Sequence, residues 1–475
     1  MNHSSFSSYS LLEKKRPRTH FIGVCGKAMG PIAAALKRDG WDVSGSDENC
    51  YEPMNGYLQK SGIGISSPYD VSNLPDDAEL FVVGKRVVTE NVELQNVIQN
   101  GRPFLSFPAF LQQRFLKHSR NAVIAGGAGK TTTTSMLAWI LEHQGYQPDY
   151  LIGGMAKNFE VPARLAGATF TVMEGDEYAS CFDDSRPKFL HYNPEVALIT
   201  NVLEDHPDLY KGMDALEKVF AELVKTLPAH GLLILPDDDD AALRLANSAP
   251  CEVAITGFSE QATFRVTDLQ LPPDRSLFRL ANVSFELPFC GRMNVRNAAM
   301  AALAAAHFGV SYEQSAESLA LFKGVGNRQE TKQTSRCILV TDKASHPKAL
   351  QELFQSLRQR FPDRRLISVI QPRATGGRKW VYQQFLPDAL THVDKVLLTG
   401  SYEHNPQPKQ VWEGGAFSLE LLHSDLAARN VAVNVVSQEQ LPCAIHEEVQ
   451  QGDVVIVSLP EQSLALLAAI EKELQ

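Results

Sequence analysis

Residues Gly126-Gly127-Ala128-Gly129-Lys130-Thr131-Thr132 place glycines, a lysine and two hydroxyls in one short run, and that combination suits phosphate. The preceding Ala122-Val123-Ile124-Ala125 is a short apolar run that reads as a buried strand. The following TTTTSMLAWILEHQGY carries apolar residues at helical spacing. A strand, a glycine turn and a helix start make a P-loop. The first backbone N–H groups of the helix point into the turn and carry partial positive charge. Lys130 adds a mobile cation for outer phosphates, and Thr131 puts a hydroxyl where a Mg2+ ligand belongs. The pattern, Gly126-x-x-Gly129-Lys130-Thr131, is shorter than the usual G-x-x-x-x-G-K-[ST]. The competing reading is a glycine-rich turn with a surface lysine. The G-K-T-T run at the junction of strand and helix argues against it.

Further along, TFTVMEGDE and VALITNVLEDHPD read as strands that both end in carboxylates, and the second adds a histidine. Strand ends line the ligand crevice of a parallel α/β sheet. Glu174, Asp176, Glu177, Asp205 and His206 are therefore candidates to face the P-loop. Hard oxygen donors there suit a Mg2+ ion that bridges phosphates and keeps some of its waters. Any one of these acids is as readily a cap or a solvated loop residue. Together, at two strand ends after a P-loop, they favour a nucleotide–metal site. The LPDDDDAALRLA run reads instead as a turn and a helix N-cap. In NVRNAAMAALAAAHFGV, an alanine-rich helix, Asn294 and Asn297 share one face near the start.

The elements that must position these groups fall into blocks. Residues 1–18 are polar and read as a disordered tail, with Lys14, Lys15, Arg16 and Arg18 as a solvated cluster. Residues 19–118 begin with THFIGVCGKAMGPIAAALKRDGWDVSGSD, a strand, a glycine turn, a helix and a second strand, half of a doubly wound nucleotide-binding sheet. Its glycines, Gly23, Gly26 and Gly30, do not follow G-x-G-x-x-G, so NAD is a weak reading even with Asp47 at the end of the second strand. Residues 119–330 hold the P-loop. Residues 331–475 alternate strands (RCILVTD, LISVI, KVLLTG, VAVNVV, DVVIVSLP) with helical stretches, another α/β sheet. The fold class expected is α/β in three domains: Rossmann-like, central P-loop ATPase with a mostly parallel sheet, and a second Rossmann-like domain.

Composition bounds the function. The chain has 475 residues, 44% of them hydrophobic and 21% charged, as in ordinary globular proteins. A net charge of −10 argues against a nucleic-acid partner, which needs basic surface. No apolar run reaches membrane-spanning length, and the N-terminus lacks the apolar core of a signal peptide. The seven cysteines are scattered, odd in number and without C-x-x-C, so a reduced, cytoplasmic chain is expected.

From about His20 to its end, the chain resembles the Mur ligase family of ATP-dependent amide-forming enzymes. The block order matches, and SGSDENCYEPM, GGMAKNFEVPARL, FDDSRPKFLHYNP and QPRATGGRKWVYQQFLPDA read like stretches of one branch. That branch joins UDP-N-acetylmuramate to the tripeptide L-alanyl-γ-D-glutamyl-meso-diaminopimelate in peptidoglycan recycling; the runner-up is the branch that adds L-alanine. The resemblance implies ATP and Mg2+ as cofactors, small-molecule substrates, no membrane or nucleic-acid partner, and a monomer or weak oligomer. It implies that an acyl phosphate forms on the muramyl carboxylate and that an amine then displaces phosphate. Catalytic roles fall on Lys130, His206, Asp342 and His346. ATP would meet Gly126 to Thr132, Asn297 and Arg328, and Mg2+ would meet Thr131, Glu174 and His206. Gly23, Gly26, Gly30 and Asp47 would hold the UDP group, and Arg373 the peptide.

The chain also departs from the family pattern. Gly127 and Ala128 replace the usual Thr–His or Thr–Asn of the loop, and Ala179 replaces an acid. Leu203 stands where an acid is usual, and Met293 stands for a histidine. Asn327 replaces one of an arginine pair, and TDKASHP lacks one acid and one histidine of its counterpart. Lys85 follows Gly84 where asparagine is usual. These changes leave open a family member that binds nucleotide or UDP-sugar without ligating.

Overall fold

The computed structural model describes residues 16–204, 210, 212–371, 380–399, 418–459 and 463–475. They form two compact units. One comprises the described residues through 202 with 216–266 and 297–322; the other comprises 203–215, 267–296 and 323–475.

The first unit contains two sheets. Strands β1 (Thr19–Ile22), β2 (Val43–Ser46), β3 (Ile65–Ser66), β4 (Leu80–Val83) and β5 (Phe104–Ser106) pair in the order β3-β2-β1-β4-β5, all parallel. The THFI and LFVV runs are wholly buried, as parallel strands covered on both faces must be. Helix α1 (Met29–Arg38) packs against β2 and buries an apolar segment, Ile32 to Leu36, that has almost no exposure. The strand order reverses between β1 and β4, so a crevice opens at their C-terminal ends.

The second sheet comprises β6 (Arg120–Ala125), β7 (Asp149–Leu151), β8 (Ala163–Arg164), β9 (Phe170–Glu174), β10 (Val196–Ile199), β11 (Leu232–Pro236), β12 (Glu252–Gly257) and β13 (Phe264–Arg265). Its order is β13-β12-β11-β10-β6-β9-β7-β8, parallel except for the β7–β8 pair. Here β6 lies between β9 and β10, and α2 (Lys130–His143) leaves from its end. The alanine-rich α3 (Arg292–His307) forms as expected, with Ala298 to Ala302 fully buried. Asp239 caps a short helix through Ala242 N, in agreement with the structural reading of the aspartate run.

The second unit holds an antiparallel sheet of β14 (Thr267–Gln270), β15 (Ser276–Leu280) and β16 (Val283–Leu287), which the sequence reading did not include. Helix α4 (Pro347–Arg360) is tied to this region: Gln359 accepts from Gly291 N at 2.9 Å and donates to Pro272 O at 2.8 Å. The larger sheet comprises β17 (Glu330–Gln333), β18 (Ile338–Thr341), β19 (Leu366–Ile370), β20 (Lys395–Thr399), β21 (Ala432–Val436) and β22 (Val454–Ser458). Its order is β17-β18-β22-β19-β20-β21, parallel apart from β17–β18. Successive residues feed opposite cores: Val340, Leu366, Val396 and Ile456 on one face, Leu339, Ile367, Leu397 and Val455 on the other.

Two expectations need correction. Cys25 and Cys50 form a disulfide, with Cα atoms 5.4 Å apart, and five cysteines are free. The cause is register: Ile22 pairs with Ser46, so the turn after β1 and the loop after β2 run side by side. Within the expected tail, residues 1–15 lie outside the described residues, but Arg16 and Arg18 are paired. Arg16 bridges Asp39 at 3.2 Å, and Arg18 bridges Asp42 at 3.2 Å and also contacts Asp77.

Candidate active site

The glycine loop has the backbone its residues require. Gly126 has φ +135°, and a Cβ there would lie 2.7 Å from Asn201 O and against the Thr200 hydroxyl. Gly129, at φ +87°, is the left-handed N-cap of α2. The first helical bond from this cap runs from Thr133 N to Gly129 O. The N–H groups of Lys130, Thr131 and Thr132 thus open the helix and supply its positive end.

Lys130 folds back over the loop. Its Nζ donates to Gly126 O at 2.5 Å and stands 3.6 Å from Glu177 Oε2. The Thr131 hydroxyl donates to Glu174 Oε1 at 3.0 Å, while Gly153 N donates to Oε2 at 2.7 Å. Burial pushes the Glu174 carboxyl above its ordinary range, against the opposing pull of Lys130. Asp176 pairs with Lys188 at 3.3 Å. Loop, helix start and carboxylates meet because β9 and β6 are adjacent and parallel, with Ile124 in register with Glu174.

Asn201 was not among the expected site residues. It lies two positions past β10, the other neighbour of β6, and is 4% exposed. Its Oδ1 accepts from Gly127 N at 2.8 Å and Ala128 N at 2.9 Å, and its Nδ2 donates to Ala128 O at 2.9 Å. Thr200 Oγ1 also donates to Ala128 O, at 2.6 Å. Two of the backbone donors assigned to phosphate are therefore engaged by a side chain. The signal in the sequence is a Thr-Asn pair directly after an apolar strand, less conspicuous than the acids and histidine downstream.

The groups present fit Mg2+ and a nucleoside triphosphate. A hydroxyl and a carboxylate within hydrogen-bond distance are hard oxygen donors for Mg2+. Asn297 offers a further polar group beside the loop: it is 2% exposed, and its Nδ2 has no hydrogen-bond partner among the described residues. Its Oδ1 approaches Gly129 so closely that a Cβ on that glycine would lie 2.9 Å away. His206, the third expected metal ligand, lies outside the described residues, as do Asp205 and Arg373.

At the other crevice of the first unit, Gly23 takes φ +89° and turns the chain out of β1. Gly26 and Gly30 continue the turn into α1, with Gly30 N donating to Gly26 O at 2.9 Å. Asp47 is turned toward this loop: its Oδ2 accepts from Cys25 N at 2.8 Å and its Oδ1 from Asn49 N at 3.1 Å. It shapes the glycine turn.

In the second unit, Asp342 follows β18 and accepts from Gln329 N at 2.8 Å and Ala344 N at 2.6 Å. Burial raises its carboxyl, and Arg328 opposes that shift. Asn327 and Gln329, both at positive φ, bend the chain on either side of Arg328. His346 is the N-cap of α4, with Nδ1 accepting from Lys348 N at 3.2 Å. Among the described residues, no group of three or more His, Cys, Asp or Glu converges as a metal site.

The whole chain has relatives. Residues 18–118 match the model "Mur ligase family, catalytic domain", 124–306 the "Mur ligase middle domain" and 327–458 the "Mur ligase, glutamate ligase domain". The chain is 32% identical over 409 residues to the UDP-N-acetylmuramate–L-alanyl-γ-D-glutamyl-meso-2,6-diaminoheptandioate ligase of Haemophilus influenzae, covering 83% of this chain and 86% of that one. It is 31% identical over 452 residues to the UDP-N-acetylmuramate–L-alanine ligase of Hydrogenovibrio crunogenus, covering 92% and 94%. A solved murein peptide ligase from Psychrobacter arcticus is similar in fold, with TM-score 0.70 and 25% identity over 96% of this chain and 98% of that one. A phosphate loop braced between parallel strands, followed by matches along nearly its full length, makes this chain a member of the Mur ligase family.

Proposed function

We propose that the protein is an ATP-dependent, ADP-forming ligase that joins UDP-N-acetylmuramate to the tripeptide L-alanyl-γ-D-glutamyl-meso-diaminopimelate, as a step of peptidoglycan recycling in the cytoplasm. The observation that carries this reading is the Lys130–Thr131–Glu174 grouping at the ends of adjacent parallel strands. Bound Mg2+ would neutralise charge on the phosphoryl group in transfer. Thr131 and Glu174 offer its oxygen ligands, with His206 assigned by resemblance. Lys130 would leave Gly126 O for the outer phosphates, and the buried Asn297 amide would orient the nucleotide. The muramyl carboxylate takes the phosphoryl group, the peptide amine attacks the acyl carbon, and phosphate departs. Such chemistry needs charge placed in advance more than covalent help. Arg328, Asp342 and His346 are assigned to the reaction and Arg373 to the peptide on resemblance. The glycine turn at Gly23, Gly26 and Gly30, shaped by Asp47, would take the UDP group.

One observation favours a second reading, a binding protein that does not ligate: Asn201 occupies the N–H groups of Gly127 and Ala128. Mass spectrometry of the product decides. The protein is mixed with UDP-N-acetylmuramate, Mg-ATP and either tripeptide or L-alanine, beside a Lys130→Ala control. A UDP-muramyl-tripeptide that vanishes with Lys130→Ala supports the proposal. A UDP-muramyl-alanine alone moves the acceptor to L-alanine. No product in either tube, with ATP still bound, refutes ligation.

A further inference from the structure

The glycine turn after β1 and the loop after β2 are tied together twice. The turn runs through Gly23, Val24, Cys25 and Gly26, and the loop runs from Asp47 to Cys50. One tie is a hydrogen bond, from Cys25 N to Asp47 Oδ2 at 2.8 Å. The other is covalent, the Cys25–Cys50 disulfide, with Cα atoms 5.4 Å apart. The loop is also anchored at its ends. Asp47 N donates to Ser66 O at 3.0 Å. Met54, which opens the next helix, lies so close to Gly30 that a Cβ on that glycine would meet its sulfur. Between these anchors the disulfide fastens the loop to the turn.

The same pair is open to thiol exchange. Cys25 and Cys50 are half-buried, and Gly26, Lys27, Glu48, Asn49 and Tyr51 around them are exposed, so a small thiol has access to the sulfurs. Cys181, Cys290 and Cys337 are buried. Burial pushes the Cys181 thiol up to about 12 and the Cys290 thiol up to about 11, which deprives both of the thiolate that exchange needs. Disulfides in a reducing cytoplasm are as a rule transient and catalytic or redox-sensing. This one lies across a ligand turn.

We propose that Cys25 and Cys50 form a redox switch on the UDP site: the disulfide holds the glycine turn in its binding shape, and reduction releases it. The proposal rests on the reading of that turn as the UDP site and of the chain as cytoplasmic. Three glycines give the turn conformational freedom that a nucleotide must suppress on binding. A loop fixed beforehand in its bound shape spares that cost and binds more tightly. The exchange partner is a small thiol and its disulfide. A glutathione thiolate attacks one sulfur, the other cysteine leaves as a thiolate and takes a proton, and a second glutathione displaces the first. Two glutathione thiols thus become one glutathione disulfide, and the protein gains two thiols; oxidation is the reverse.

The test uses the full chain equilibrated with reduced or oxidised glutathione. Mass spectrometry after alkylation in denaturant should count seven thiols in the reduced sample and five in the oxidised one, reversibly. Calorimetry without ATP should find UDP-N-acetylmuramate bound about tenfold more tightly by the oxidised protein. Cys50→Ser should bind like reduced wild type in both buffers, which also shows that it is folded. Serine at the exposed Cys443 should leave the difference intact. A bond that survives reduced glutathione overturns the inference, because it is then structural. So do equal affinities in the two states, or a difference that persists in Cys50→Ser. Failure of both forms to bind overturns the UDP reading and the switch together. Equal affinities with product formed refute the switch alone, and a switch in affinity without product refutes ligation alone.

Discussion

Asn201→Ala should loosen the phosphate loop by releasing the backbone groups of Gly127 and Ala128. The native side chain makes three hydrogen bonds, at 2.8, 2.9 and 2.9 Å, and is 4% exposed. Each contributes about 1 kcal/mol net, and a donor left without an acceptor costs more. Gly127 and Ala128 are half-buried, so water recovers part of that loss. The expected cost is about 2–3 kcal/mol, or roughly 5 °C in the melting of the first unit at about 2 °C per kcal/mol for a domain of this size. Asn201→Asp adds a charge at the same position. The aspartate still accepts from both N–H groups, but its second oxygen replaces the donor to Ala128 O and faces that carbonyl as a second acceptor, a repulsive contact at a buried position. It also sets an anion beside the phosphate position, at a cost of about 2–3 kcal/mol for an effective dielectric near 20. Calorimetric melting and ATP titration of both variants make the measurement. Both variants should melt early, and Asn201→Asp should in addition bind ATP roughly thirtyfold or more weakly. An alanine variant that melts within a degree of wild type would show that Asn201 does not brace the loop. An aspartate variant with native ATP affinity would show that the phosphates bind elsewhere.

Gly126→Ala should cost more than about 3 kcal/mol and abolish ATP binding, because φ is +135° and the new Cβ would meet Asn201 O at 2.7 Å and the Thr200 hydroxyl; melting and ATP titration check this. Thr131→Val should weaken Mg-ATP about tenfold and leave binding in EDTA unchanged, since it removes one proposed metal-ligand oxygen; titration with and without Mg2+ is the readout. Burial, helped by Arg102, pulls the His20 pKa down to about 4. The unfolded chain takes up that proton from about pH 6.5 downward and the folded chain does not, so His20 adds no cost above pH 6.5. Up to about 3 kcal/mol is lost as the pH falls to 4, and His20→Gln should flatten this part of the melting-against-pH curve. Denatured but unreduced protein should titrate five thiols; seven would remove the Cys25–Cys50 bond.

Much of the architecture is legible because parallel strands announce themselves. AVIA, VALI and VVIV are short apolar runs bounded by turn residues, and each is a strand buried on both faces. The meeting of Thr131 with Glu174 was legible as well, since strand ends of one sheet share a crevice. Bonds between remote residues were not. Gly127 and its acceptor Asn201 are 74 residues apart, and the Thr-Asn pair after β10 marks a strand end without saying which loop it braces. The disulfide depends on the β1–β2 register, which spacing alone does not reveal. His346 is a different case, where resemblance overshadowed a local signal. It stands immediately before Pro347, the first residue of α4, and Pro at that position marks the preceding residue as the N-cap.

The braced loop bears on what the departures from the family pattern cost. Ala128 has no side chain to hold the turn, yet its carbonyl accepts from Thr200 Oγ1 and Asn201 Nδ2 and its N–H is bound by Asn201 Oδ1. Support that a loop side chain would give comes instead from the end of β10. The shape of the turn, with Gly126 and Gly129 at positive φ, is thereby maintained independently of the missing threonine and histidine. If the missing groups act on charge that develops during transfer, a lost donor costs about 3–4 kcal/mol of barrier and little ground-state binding. Replacing Ala128 with histidine should therefore raise kcat while leaving the ATP affinity nearly unchanged. A gain confined to ATP affinity would mean that the loop lacks shape rather than charge, contrary to the hydrogen bonds that hold it.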